Sequence, residues 1–254
     1  MKGRKTQVEL IGIGNTADVY VWKEGYVCKL FHKGYPENAV KREYENAKAM
    51  QNYNLPVPSC MGMVKEENRC GILYERAEGV TLLEYYQRTG DASVLLETLC
   101  SVHERILGHH ADDVPDYKEF LSLFAQGKNA GKEELLGLIQ SLPDGNTLCH
   151  GDFHPGNVMI NKKEAEDHSD IRVIDFMNVC HGPRLYDIAR TYYLIHPVER
   201  EEGKKNTDEA VQAMQAFADA YLDRMKTTKE EIAPYVEVLQ KVRKLELGMA
   251  DGTK

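Results

Sequence analysis

His150-Gly-Asp-Phe-His-Pro-Gly-Asn157, running straight into the apolar stretch Val158-Met-Ile160, is the segment on which the reading of this chain turns. Further along, Val173-Ile-Asp175-Phe176 sets an aspartate at the end of a second apolar strand, Ile171–Ile174. The polar residues 161–170 between the two strands read as the long tip of a hairpin. Asp152, Asn157 and Asp175 are thus three oxygen donors delivered from neighbouring strand ends. Such hard donors suit Mg²⁺, which keeps waters and phosphates for the rest of its shell.

The spacing H-x-D-x-x-x-x-N resembles the catalytic loop of kinases. In that loop the aspartate orients an attacking hydroxyl and accepts its proton, while the asparagine offers a carbonyl oxygen to the metal. Upstream, Gly12-Ile-Gly14-Asn15-Thr16-Ala17-Asp-Val19 follows the strand Val8–Ile13 and precedes the strand Val19–Trp22. A dinucleotide fingerprint needs a helix at that point, so this reading fails. A hairpin loop that covers phosphates fits, with Ala17 where a third glycine commonly stands. Its small residues let backbone amides approach phosphate oxygens, and Asn15 and Thr16 add donors at the tip.

Lys29 lies in the apolar strand Tyr26–Phe31, after a Lys23-Glu24-Gly25 turn. An unpaired ammonium there would be costly, so it needs an anion. Glu43 or Glu45, on the helix expected over Glu37–Met50, can supply it. Glu43 is preferred, at the Arg-Glu step of Lys41-Arg-Glu-Tyr44. Leu55-Pro-Val-Pro58 stops the helix, because proline offers no N–H and restrains the residue before it. Met61–Val64 and Gly71–Tyr74 then pair across 65–69.

From Thr81 the pattern turns helical, with helices expected over Thr81–Gln87, Val94–Leu107, Lys118–Phe124 and Glu133–Ser141. Near the end, Val211, Met214, Phe217, Ala218, Tyr221, Leu222 and Met225 form one apolar stripe at helical spacing. Val236, Leu239, Val242 and Leu245 are read as a second.

The chain resembles the aminoglycoside phosphotransferase and choline kinase group of protein-kinase-like enzymes, from Ile11 to about Leu194. The parts come in the same order: glycine loop, Lys29, helix glutamate, Leu55-Pro-Val-Pro58, Leu73-Tyr-Glu-Arg-Ala-Glu-Gly79, HGDFHPGN and IDF. The HGDxHPGN form marks the small-molecule branch. Protein kinases carry arginine where this chain has Gly151, and no D-F-G or A-P-E follows here.

The resemblance implies an α+β, protein-kinase-like two-lobed fold. Residues 1–77 would form an N-lobe, a five-stranded antiparallel sheet with one helix. Residues 78–254 would form a mostly helical C-lobe, with a hinge at 73–79. It implies ATP as donor, with GTP left open, and Mg²⁺. Asp152 would be catalytic, and Asn157 and Asp175 metal ligands. Gly12, Gly14, Asn15, Thr16, Lys29, Glu43, Glu75 and Ala77 would serve the nucleotide, the last two through the adenine. His150 and Asp187, the latter in Leu185-Tyr-Asp-Ile-Ala-Arg190, would support the catalytic loop. The acceptor would be a hydroxyl of a small molecule, an aminoglycoside first; choline, ethanolamine, homoserine, sugar and fructosamine kinases compete. A nucleotide-binding regulator without turnover is the rival outside the enzyme class. His103, His109 and His110 show no metal-ligand spacing.

The charge fits a cationic acceptor. Residues 1–77 carry 12 Lys and Arg against 9 Asp and Glu, a net of +3, which suits a polyphosphate. The remainder carries 20 against 31, a net of −11. A plain solvated acidic surface is the alternative. The total of −8 argues against nucleic acid bound through bulk charge. No apolar run nears the ~20 residues of a membrane span, and no apolar stretch follows the basic start as in a secretory signal. Six separated cysteines without a C-x-x-C pair read as reduced thiols, and the expected location is cytoplasmic.

Overall fold

The computed structural model describes residues 9–66, 68–125, 131–161, 171–197 and 207–250, with side chains to 244. The chain divides into two compact units. One comprises the sequence to Thr81 plus Val158–Met177, the other Leu82–Asn157 plus the sequence from Asn178. The hairpin tip expected at 161–170 and the Leu245 side chain fall outside the described residues, Asn161 excepted.

The first unit is built on a five-stranded antiparallel sheet. Its strands are β1 (Leu10–Ile13), β2 (Ala17–Lys23), β3 (Tyr26–Phe31), β4 (Cys60–Glu66) and β5 (Arg69–Glu75), in the order β1-β2-β3-β5-β4. The tight turns fall where the residue types allow them: Gly25 (φ 75°) between β2 and β3, and Asn68 (φ 64°) between β4 and β5. Helix α1 (Glu37–Met50) buries Val40, Ala47 and Met50, while its other face carries the charges. Phe31, Ile72 and Leu55 complete this core.

A smaller sheet in the same unit has the order β6-β8-β9, from β6 (Val80–Thr81), β8 (Val158–Ile160) and β9 (Ile171–Val173). Gly79 enters it at φ 105°, and a Cβ there would run into the backbone carbonyl of Ile160. Only glycine meets both demands. The Val173 amide donates to the Pro56 carbonyl at 2.8 Å, which ties β9 to the proline segment after α1.

The second unit is mostly helical. It contains α2 (Leu82–Thr89), α3 (Ala92–Leu107), α4 (Tyr117–Phe124), α5 (Lys132–Ser141), α6 (Arg184–Ile195), α7 (Asp208–Arg224) and α8 (Lys229–Ala250). Asp91, Asp116 and Thr207 cap α3, α4 and α7 by accepting first-turn amides. A two-stranded pair, β7 (Thr147–Cys149) and β10 (Cys180–Gly182), sits among them. Leu99, Ile106, Tyr117, Leu121, Leu148, Phe153, Tyr186, Ile188 and Tyr221 form the core.

The stripe expected on α8 is corrected. The buried residues are Ile232, Tyr235, Val238, Leu239 and Val242, whereas Val236 is only half-buried. At ~100° per residue, a strict three-residue spacing drifts about 60° per step and leaves the face, while mixed steps of three and four hold it. On α7 Ala218, Tyr221 and Leu222 are buried, as is Met225 just past its end, and Val211, Met214 and Phe217 are half-buried.

Candidate active site

In the first unit, the chemistry gathers around Lys29. Its Nζ donates to Glu43 Oε1 at 2.8 Å and to Asp175 Oδ1 at 2.9 Å. Glu43 projects from α1 into the core, where the Tyr74 hydroxyl also donates to Oε1 at 3.3 Å. Glu45 instead pairs on the surface with Lys41 at 3.5 Å. The two glutamates sit two residues apart and therefore face apart on the helix.

One ammonium serves two carboxylates. Burial alone would depress the Lys29 pKa, but Asp175 and Glu43 outweigh it and hold the value above the ordinary lysine range. Burial pushes the Glu43 carboxyl up; Lys29 opposes this and Asp175 adds to it. These directions are compatible, because a cluster of net −1 favours its single cation and disfavours its more buried anion. Asp175 is the accessible one, with its side chain 38% exposed against 1% for Glu43. It adopts φ 70°, a left-handed conformation that aspartate tolerates better than most residues. The next residues are pinned by Asn46 Nδ2, which donates to the carbonyls of Phe176 at 3.0 Å and Met177 at 3.3 Å. Asn46 lies three residues after Glu43, on the same helix face.

The glycine segment is a hairpin loop, with Gly12 opposite Val19 and Ile13 opposite Asp18. The Gly14 amide donates to the Ala17 carbonyl at 2.9 Å, and a Cβ on Gly14 would crowd that same oxygen. Asn15 is exposed at the tip, Thr16 half-buried, and Ala17 buried. Asp18 anchors the outgoing end: Arg69 Nη2 donates to it at 3.2 Å, and His32 Nε2 lies at 3.3 Å. Arg69 also donates to the carbonyls of Leu30 and Phe31. At the end of β5, the Glu75 amide and carboxylate are both engaged by Ser59, and Ala77 follows outside the strand.

In the second unit, β7 delivers His150 and the loop to Asn157. Asp187, fully buried near the start of α6, accepts the amides of His150 at 2.8 Å and Gly151 at 2.9 Å. Burial would raise its pKa, but His103 and the Gly151 amide bind the charged form and hold it below the ordinary carboxylate value. Gly151 stands at φ 73° with the Asn178 carbonyl where a Cβ would be, so the small-molecule-type glycine is sterically required. His150 Nδ1 accepts the Asp152 amide at 3.3 Å. Asn157 Nδ2 donates to the Asp152 carbonyl at 2.9 Å. That bond fixes the amide's orientation and leaves Oδ1 as the atom Asn157 can offer a cation.

The Asp152 carboxylate is flanked on both oxygens. Arg190 Nη2 lies 3.7 Å from Oδ1 and His154 Nε2 3.9 Å from Oδ2. Arg190 Nε also donates to the Gly151 carbonyl at 2.6 Å. His154 Nδ1 accepts the Gly156 amide at 3.0 Å, so a neutral ring carries its proton on Nε2, toward Asp152. Arg190, Asn46 and His103 were given no role from the sequence. For Arg190 the signal available was its place three residues after Asp187, one helical turn on.

The structure thus gathers Lys29, Glu43 and Asp175 in one unit, and His150, Asp152, Asn157 and Asp187 in the other. Among the described residues no three His, Cys, Asp or Glu side chains are arranged to hold a metal by themselves. Each unit offers an oxygen donor of the kind Mg²⁺ accepts: the accessible Asp175 carboxylate in the first and the Asn157 amide oxygen in the second. Among the described residues, no helix is long and apolar enough to cross a membrane.

Comparison with known proteins gives the family and the fold. The family model described as "Phosphotransferase enzyme family" matches residues 7–235. No curated protein matches the sequence. Among solved structures, an aminoglycoside-3'-phosphotransferase of type VIII is similar at a TM-score of 0.62 and 17% identity, covering 95% of this chain and 96% of that one. Aminoglycoside phosphotransferase APH(3'')-Id from Streptomyces rimosus, solved with ADP and streptomycin, gives a TM-score of 0.59 and 14% identity over 91% of each chain. The streptomycin–ATP complex of APH(2")-IIa gives 0.51 and 16%, over 91% of this chain and 81% of that one. The α+β kinase-like fold is therefore shared.

Proposed function

The chain belongs to the phosphotransferase enzyme family, as a small-molecule kinase, and we propose that it transfers the γ-phosphoryl group of ATP to a hydroxyl of a small cationic acceptor. An aminoglycoside is the first candidate. The observation that carries the donor half is the Lys29–Glu43–Asp175 cluster, whose two carboxylates share one ammonium. Its excess negative charge, exposed at Asp175, suits a divalent cation accompanied by phosphates. Neighbours solved with ADP or ATP support a nucleotide, and those solved with streptomycin or gentamicin support the acceptor class. The net of −11 over residues 78–254 supports its charge.

In this reading residues 1–77 serve the nucleotide, residues 78–254 serve the acceptor, and 73–79 join them as a hinge. The loop Gly12–Ala17 covers the phosphates, its turn held by the bond from the Gly14 amide to the Ala17 carbonyl. Lys29, steadied by Glu43, neutralises the α- and β-phosphates. The backbone around Glu75 and Ala77 meets the adenine, with the Glu75 amide itself bonded to the Ser59 carbonyl. Asn157 and Asp175 would hold Mg²⁺, which when bound offsets charge on the phosphate oxygens.

Asp152 orients the acceptor hydroxyl and takes its proton as the oxygen bonds to the γ-phosphorus and the bond to ADP breaks. Arg190 and His154 hold the carboxylate in one pose. Catalysis comes from positioning and charge stabilisation. The test is Mg²⁺-dependent ADP release, screened against aminoglycosides, amino sugars, choline, ethanolamine and homoserine. Stimulation by an aminoglycoside supports the full reading. Stimulation only by another alcohol removes the aminoglycoside assignment. Tight ATP binding with no stimulation by any acceptor favours a nucleotide-binding regulator.

A further inference from the structure

The mechanism above leaves a fully buried histidine unused. His103, on α3, has no exposed surface, and both ring nitrogens are engaged. Nε2 lies 3.0 Å from Asp187 Oδ2, and Nδ1 lies 2.7 Å from the Tyr221 hydroxyl on α7. An ionised carboxylate can only accept, so Nε2 carries the proton toward Asp187. Burial holds the Tyr221 phenol far above its ordinary pKa, so this hydroxyl keeps its proton and can donate it to Nδ1. The bonds then run in one direction, from Tyr221 through His103 to Asp187.

Asp187 is where this line reaches the catalytic loop. Oδ2 accepts from His103 and from the His150 amide, while Oδ1 accepts from the Gly151 amide. A carboxylate swings about its Cβ–Cγ bond unless its acceptor sites are filled from several directions. The two loop amides approach from adjacent residues of one segment. Among the described residues His103 is the side chain that donates to Asp187, and it comes from a different helix. The same imidazole stacks on Phe153, with ring centroids 4.5 Å apart and planes 30° apart. His103 therefore touches the loop on both sides of Asp152: through Asp187 to residues 150 and 151, and directly at residue 153. A histidine buried merely as filler would not need both nitrogens matched to polar partners, and a hydrophobic residue of similar size would avoid that desolvation.

We propose that His103 is a positioning residue for the transfer reaction, holding Asp187 and Phe153 so that the loop presents Asp152 in one pose. The proposal rests on the reading of Asp152 as the group that receives the acceptor's proton. The expected consequences divide by variant. His103→Leu removes the donor to Asp187 and the polar ring. His103→Gln can place its amide nitrogen near the former Nε2 and restore that donor. Tyr221→Phe keeps the packing and removes only the outer bond.

The experiment combines two readouts on the full chain. The first, without substrate, records the amide resonances and exchange rates of His150 and Gly151 in ¹⁵N-labelled protein. The second records kcat and KM for ATP with the best acceptor from the screen. For His103→Leu, both amides should shift upfield and exchange faster, and kcat should fall about 100-fold, the scale of a misplaced reacting group, with KM for ATP within about twofold. His103→Gln should recover most of both, and Tyr221→Phe should fall between Gln and Leu. Unmoved amides in the Leu variant, or kcat unchanged while the amides shift, overturns the proposal. If the Leu variant does not fold, the Gln and Tyr221→Phe variants decide: amides and kcat unchanged in Tyr221→Phe, with Gln as impaired as a simple cavity, overturns it. Absence of turnover in the unaltered protein would instead defeat the proposed function, and the amide shifts would still decide whether His103 holds the loop.

Discussion

Glu43 and Asp187 are both carboxylates buried to the point of having no exposed surface, and the protein treats them in opposite ways. Asp187 accepts two backbone amides and an imidazole, and its pKa is held down. Glu43 receives Lys29 and a long bond from Tyr74, both on Oε1; Oε2 has no hydrogen-bond partner among the described residues, and its pKa is pushed up. One carboxylate is saturated, chiefly by groups that cannot leave. The other shares a single ammonium with a third, accessible carboxylate. Saturation suits a brace, and sharing suits the phosphate-neutralising role proposed for Lys29.

The sharpest way to break this contrast is to make the same chemical change at both sites. Asp187→Asn turns an amide nitrogen toward groups that are themselves donors. We expect it to cost about 3 kcal/mol or more in urea unfolding, because three buried donors lose a charged acceptor and one of them faces an amide nitrogen. A loss below about 1 kcal/mol would mean that Asp187 is not the brace. Asp175→Ala, at the accessible end of the cluster, should cost about 1–2 kcal/mol, the scale of placing alanine in the left-handed backbone that Asp175 adopts. It should abolish the Mg²⁺ dependence of ATP binding measured by calorimetry. Retained Mg²⁺ dependence would remove Asp175 from the metal role.

Glu43→Gln should show the smallest stability change, about 1 kcal/mol or less, since half of the carboxylate is already unpartnered. The pH dependence sharpens the comparison further, because the two slopes have opposite sign. Asp187 has a depressed folded value, so its contribution is present above the unfolded value near 4 and is lost only as pH falls through the folded one. Glu43 has a raised folded value, so its charged form is a burden at neutral pH that is relieved as pH falls through that value. The stability gap between the protein and Asp187→Asn should shrink on acidification. The gap between the protein and Glu43→Gln should move the other way. Parallel slopes would erase the distinction drawn here.

The brace and the cluster were not equally legible in the sequence. Lys29, Glu43 and Asp175 could be read because each sits beside an apolar strand or on an amphipathic helix, where a charge stands out. The limits of β3 and α1 followed from the same periodicity and coincide with the observed elements. Asp187 was found only through the resemblance of its Asp-Ile-Ala step. His103, Asn46 and Arg190 were not placed at all, because their roles depend on partners from 39 to 130 residues away in the chain. β6, β7 and β10, two or three residues long, are too short to show any period. On α8 Leu239 and Val242 are buried as expected, and Val236 is not, because a strict three-residue spacing drifts off a helix face.

The central claim is that Asp152 receives the acceptor's proton in a transfer from ATP, and its removal tests that claim most directly. ADP release with the preferred acceptor should be compared between the protein and Asp152→Ala, alongside ATP affinity by calorimetry. The account predicts a kcat lower by at least about 1,000-fold, of the order supplied by a positioned general base together with orientation, with ATP affinity unchanged. Full turnover in Asp152→Ala would contradict it.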